Sequence, residues 1–166
     1  MKGIVKAFKS FYCAGRGIAY CLRHERHLRI HIAAAAYVLY FATFYGFTRG
    51  EYALIVLTCS AVIAAEIMNT SIEVVIDKVS PKYNMFALIG KDIAAGAVLV
   101  TAIGAVCVGV FMLWDTEAFA RIFAYFTENI IRPLILLALT ALAVWFIASA
   151  KPRKTGNKRK KDVKND

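Results

Sequence analysis

Residues 65–77 read AEIMNTSIEVVID, two glutamates and an aspartate inside a stretch otherwise apolar enough to cross a membrane. An acid at the centre of a bilayer costs about 2.5–3.5 kcal/mol even on the mildest scale. Advancing about 100° per residue puts Glu66, Asn69, Glu73 and Asp77 on one helix face about 80° wide, with Thr70 beside them, while Ile67, Met68, Ile72 and Val74 point elsewhere. Such a stripe cannot face lipid, so it must line a protein interior or a wet cleft.

The rest of the chain supports a lipid environment. Its 166 residues are 60% hydrophobic, with a mean hydropathy of +0.58, too apolar for one soluble domain. The net charge of +10 sits in blocks separated by apolar runs. That pattern suits anionic headgroups and gives no reason to invoke nucleic acid. Cys13, Cys21, Cys59 and Cys107 form no CxxC or CxxH spacing, so they read as small packing residues.

Four stretches are long enough to cross a hydrocarbon core of about 30 Å, which takes roughly 20 apolar residues as helix, near 30–48, 52–76, 93–114 and 130–150. Lys and Arg number seven in residues 1–29, three in 77–92 and eight in 151–166, but one each in 49–51 and 115–129. By the positive-inside rule both termini and the middle loop are cytoplasmic, which four crossings satisfy. The expected architecture is an all-α integral membrane protein in five parts. Residues 1–29 form an amphipathic interfacial helix, 30–114 a three-helix transmembrane core, and 115–129 an external interfacial segment. Residues 130–150 form an extra transmembrane helix, and 151–166 a disordered basic cytoplasmic tail. Residues 1–29 have no clean apolar run of the kind a cleaved signal peptide carries.

Three chemistries can occupy the stripe. Polar side chains glue some helix–helix interfaces, but several like charges on one face repel without a cation or proton. An ion or proton pathway is a second reading. The third is a metal and phosphate site, because carboxylates suit Mg2+, which takes one or two of them and completes its shell with water and phosphate. Lys91, at the end of the middle loop, adds a point charge for phosphate. No GxxxxGK[ST] or GxGxxG occurs, so a P-loop is not supported, and GAVCVG at 104–109 reads as a membrane-helix glycine pair. His27 and His31 are spaced i,i+4, but nothing nearby completes a metal shell around them.

The run Glu66-Ile-Met-Asn69-Thr-Ser-Ile-Glu73-Val-Val-Ile-Asp77 resembles the signature of the bacterial integral-membrane diacylglycerol kinase and undecaprenol kinase family, E-x-[apolar]-N-[ST]-[SA]-[apolar]-E-x-x-[apolar]-D. Glu25-Arg-His-Leu-Arg29-Ile-His31 is similar to the family's E-x-N-x-R-I-H segment, with His27 where asparagine is frequent. Lys91-Asp92-Ile-Ala-Ala-Gly96-Ala-Val-Leu is similar to its K-D-x-A-A-G-A-V-L segment. The resemblance covers about residues 5–114, so the fourth span and basic tail fall outside the usual three-span chain.

The resemblance implies a homotrimer in the bacterial cell membrane that moves the γ-phosphoryl of ATP to a lipid alcohol, with Mg2+ as cofactor. It implies Glu66 as the catalytic carboxylate, Glu25 and Glu73 as metal ligands, and Asn69, Asp77, Lys91 and Asp92 as positions around the nucleotide and its phosphates. It names no lipid-binding residue. The R-I-H and K-D-x-A-A-G forms look more like the undecaprenol-kinase branch, with diacylglycerol as the alternative acceptor. A non-enzymatic ion- or proton-coupled membrane protein is the alternative from another class.

Overall fold

The computed structural model describes residues 2–80, 82 and 84–151, and among them it is all-helical. Six helices follow one another: α1 (Lys2–His24), α2 (Arg26–Ala42), α3 (Arg49–Val79), α4 (Met85–Leu113), α5 (Thr116–Glu128) and α6 (Ile131–Ala148). Three of them, α3, α4 and α6, are long and apolar enough to cross a membrane. The basic tail expected to be disordered lies, from residue 152 onward, outside the described residues.

The helices begin where the sequence offers a side-chain acceptor for the otherwise unpaired N–H groups of a first turn. At α3, Thr48 and Glu51 form a reciprocal capping box. Asn84 accepts from the Phe86 N–H at 2.9 Å to start α4, and Asp115 accepts from Glu117 and Ala118 to start α5. Such a cap is worth about 1 kcal/mol.

These caps also correct two expected boundaries. The span predicted at 30–48 is a helix that ends at Ala42, followed by a turn in which Gly46 takes φ +66°, a left-handed conformation that glycine adopts without penalty. At about 1.5 Å per residue the 17 residues of α2 reach about 25 Å, less than the other three expected spans. The span predicted from residue 93 starts earlier, at the Asn84 cap, so Lys91 and Asp92 stand on α4 and not at the end of a loop.

The α3–α4 hairpin is the most extensive contact, with α2 packed on α3 and α6 on α2. The buried core is small: Leu28, Ala42, Ile55, Val62, Ala94 and Val98 among its members. Long rows of apolar side chains stay bare on α3, α4 and α6, as lipid-facing helices require. α1 likewise bares Ile4, Val5, Phe8, Phe11 and Tyr12, the apolar face expected of an interfacial helix.

Hydrogen bonds fix which helix ends lie together. The backbone N–H of Lys151, just past α6, donates to the Arg23 carbonyl near the end of α1 at 3.0 Å. At the opposite end Tyr45 donates to the Leu113 carbonyl at 2.9 Å, and Arg121 of α5 donates to the Phe44 carbonyl at 2.8 Å. Tyr40, Phe41, Phe44, Tyr125 and Phe126 form an aromatic cluster there, its tyrosines of the residue type enriched at a membrane–water boundary. The basic α1–α2 corner, the start of the basic tail and the α3–α4 turn therefore share one end of the bundle.

Candidate active site

α3 is 31 residues long, about 46 Å at 1.5 Å per residue, and so overruns a hydrocarbon core of about 30 Å. Measured from its capped start, Glu66 lies about 25 Å along the axis and Asp77 about 42 Å. For a core that begins at that start, the stripe grades from its far edge to beyond it. Its acids are not equally placed with respect to water.

Glu66 is the buried end. It is 6% exposed, and its Oε1 lies 3.3 Å from Nε2 of His31 on α2. That contact joins residues 35 apart in sequence, and no spacing rule relates them. The Thr70 hydroxyl donates to the Glu66 carbonyl at 3.0 Å, one turn back, and the residue is 2% exposed. It satisfies the helix's own backbone and adds no free hydroxyl to the stripe.

One turn further, Asn69 donates through Nδ2 to Oε1 of Glu73 at 3.4 Å. The amide oxygen of Asn69 is buried with no hydrogen-bond partner among the described residues. A buried acceptor left unpaired costs about 1–3 kcal/mol, so a cationic or protic partner at that oxygen would be favourable. At the far end Lys91 Nζ of α4 forms an ion pair and hydrogen bond with Asp77 Oδ1. Beside this pair α3 and α4 pack closely at Gly90, where a Cβ would lie 3.2 Å from Cδ1 of Ile76. Asp92 is exposed on the neighbouring position of α4.

Glu25 occupies the break between α1 and α2 as the N-cap residue of α2 and is half-buried. Among the described residues no three of His, Cys, Asp and Glu converge as a metal cluster. For Mg2+ a protein cage is not needed, since one or two carboxylates with water and phosphate suffice. The hard oxygens of Glu73 and the unpaired amide oxygen of Asn69 fit such an ion, and Glu25 is of the same donor class.

An apolar cleft of about 290 Å3 runs between α2, α3 and α4. His31 stands in its wall, followed by Ala34, Ala35, Val62, Ala105 and Gly109. Small side chains at these positions are what leave the volume open. The cleft and the His31–Glu66 contact are the two features that reading the sequence did not reveal. The stripe residues Glu66, Asn69, Glu73 and Asp77 share one helix as expected, and Lys91 joins them at Asp77.

Residues 12–113 match the family described as "Prokaryotic diacylglycerol kinase". The chain is 37% identical over 105 residues to the undecaprenol kinase of Bacillus subtilis (strain 168), covering 63% of this chain and 85% of that protein. It is 39% identical over 101 residues to the diacylglycerol kinase of Synechocystis sp. (strain ATCC 27184 / PCC 6803 / Kazusa), covering 60% of this chain and 58% of that protein. It therefore spans less than two thirds of the second relative's length. No solved structure matches at a significant level.

Proposed function

The chain belongs to the prokaryotic diacylglycerol kinase family, and from that premise we propose that it is an ATP- and Mg2+-dependent lipid kinase whose acceptor is undecaprenol. The observation that carries the reading is the placement of Glu66. It is buried beside an apolar cleft and begins a polar stripe that ends, toward the basic end of the bundle, in the Lys91–Asp77 pair. A lipid alcohol presents the same polarity, an apolar chain in the membrane and a hydroxyl at its edge.

In this reading the lipid chain enters the cleft and its hydroxyl meets Glu66. As the alcohol oxygen forms its bond to the γ-phosphorus, the bond from that phosphorus to the β–γ bridging oxygen breaks and ADP leaves. Glu66 accepts the hydroxyl proton. His31 holds one oxygen of the Glu66 carboxylate, leaving the other for the substrate. Lys91, oriented by Asp77, meets phosphate oxygens, and Asn69 and Asp92 line the nucleotide's approach. A bound Mg2+, held by Glu73 and Glu25, would neutralise charge on the triphosphate, the main demand of phosphoryl transfer beyond positioning.

The acceptor assignment is supported by the R-I-H and K-D-x-A-A-G forms at residues 29–31 and 91–96, the two relatives, 37% and 39% identical, being one undecaprenol kinase and one diacylglycerol kinase. Assembly as a homotrimer in the bacterial cell membrane, with both termini cytoplasmic, belongs to the same reading. Four crossings, with α2 as the first, would give that topology.

The direct test places the purified protein in nanodiscs with labelled ATP and Mg2+, and offers undecaprenol and diacylglycerol side by side. Label on undecaprenol at the higher rate is expected. Preferential labelling of diacylglycerol would reverse the acceptor assignment, and no labelled lipid together with ion flux would replace the kinase with a pathway.

A further inference from the structure

The α5–α6 hairpin lies outside the stretch matching the family, which ends at residue 113. α6 buries no residue of its own, so it adds little to the core. Its last turn nonetheless holds a buried side chain from the first turn of α2. Arg29 is 8% exposed. Its Nε donates to the Leu22 carbonyl at the end of α1. Its Nη1 donates to the Phe146 carbonyl and, at 2.8 Å, to Oγ of Ser149, both at the end of α6. The guanidinium also stacks 4.7 Å from the centre of the Phe146 ring. Beside it, Lys151 bonds through its N–H to the Arg23 carbonyl and through its carbonyl to Nδ1 of His24.

Two helices therefore end against one another, and Arg29 bridges them. The last carbonyls of a helix lack partners and carry partial negative charge, which a fixed cation offsets. A planar guanidinium can serve both ends at once, and a lysine ammonium cannot reproduce that fork. Between the Leu22 carbonyl and Arg29 lies Glu25, at the break that this bridge spans.

We propose that Arg29 is a positioning residue and α6 its brace, which together fix the angle between α1 and α2 and with it the placement of Glu25. The connection to catalysis rests on the kinase reading through Glu25; the brace itself does not. Loosening it leaves the α3 stripe intact and displaces the α1–α2 corner.

The test uses full-length protein in nanodiscs carrying Phe146→Leu with Ser149→Ala, which weakens the brace from the α6 side and leaves Arg29 in place. Hydrogen–deuterium exchange is followed along the chain. Exchange in residues 20–30 should rise about tenfold, the factor for loss of roughly one charge-assisted hydrogen bond, with α3 and α4 unchanged. The Mg2+ concentration for half-maximal lipid phosphorylation should rise by a similar factor while the KM for the lipid stays put. Arg29→Lys should show the same split. A purely structural role would lower the active fraction, reducing kcat with both concentrations unchanged, and would overturn the positioning. Unchanged exchange at residues 20–30, or a rise spread equally over α3 and α4, would overturn the brace whether or not the protein phosphorylates lipid.

Discussion

His31→Ala is the substitution that separates the proposed chemistry from simple membrane packing. Glu66 is 6% exposed, and His31 is the side chain 3.3 Å from its carboxylate. Hydrogen bonds to charged groups contribute about 1.5–3 kcal/mol. If that contact orients the carboxylate in the transition state, its removal should lower kcat by about 10- to 150-fold, at 1.36 kcal/mol per factor of ten. The KM for Mg-ATP should stay within about twofold, because Asn69, Glu73, Asp77 and Lys91 are untouched; a change in kcat alone marks an interaction made in the transition state. The assay is initial-rate phosphorylation of lipid in nanodiscs, with trace-labelled ATP and both substrates varied. Glu66→Gln should abolish turnover without loss of assembly. Wild-type turnover in His31→Ala would refute the orienting role.

Glu73→Gln should raise the Mg2+ concentration for half-maximal activity and weaken Mn2+ binding read by electron paramagnetic resonance, with assembly unchanged; unaltered Mn2+ binding would remove Glu73 from the metal. Thr48→Ala removes the hydroxyl of the α3 capping box and should lower stability by about 1 kcal/mol, measured by reversible denaturation in mild detergent, with lipid KM and kcat unaffected. A change in either kinetic constant would mean that the capped end of α3 communicates with the site.

What the sequence made legible follows from local periodicity. Glu66, Asn69, Glu73 and Asp77 lie on one face because a helix repeats every 3.6 residues whatever surrounds it. The run of apolar residues fixed the existence of α3, α4 and α6, and the all-helical class with them. Boundaries were less legible, because they depend on single caps: Asn84 starts α4 eight residues before the apolar run predicts, carrying Lys91 onto a helix. Contacts between distant residues left no periodic signal. His31 with Glu66, Arg29 with Ser149 and Lys151 with Arg23 are set by tertiary packing, and each polar group there has several equally plausible partners in the sequence alone.

The position of each stripe acid along α3 explains how this helix can carry three of them beyond its middle, the fourth acid, Glu51, belonging to the capping box at its start. Asp77, farthest from the apolar middle, is neutralised by Lys91. Glu73 is half-buried one turn from Asn69, whose amide helps to satisfy it. Glu66 is the deepest of the three and is screened from lipid by His31 and the packing of α2. A single-file ion pathway would need the polar row to continue toward the opposite end of α3, but there the helix face turns to Val62 and Ile55, buried in the core and lining the apolar cleft. The polar row stops at Glu66 where the cleft begins. A site that joins a water-borne phosphate donor to a membrane-borne hydroxyl needs that junction, and a conducting path would be closed by it.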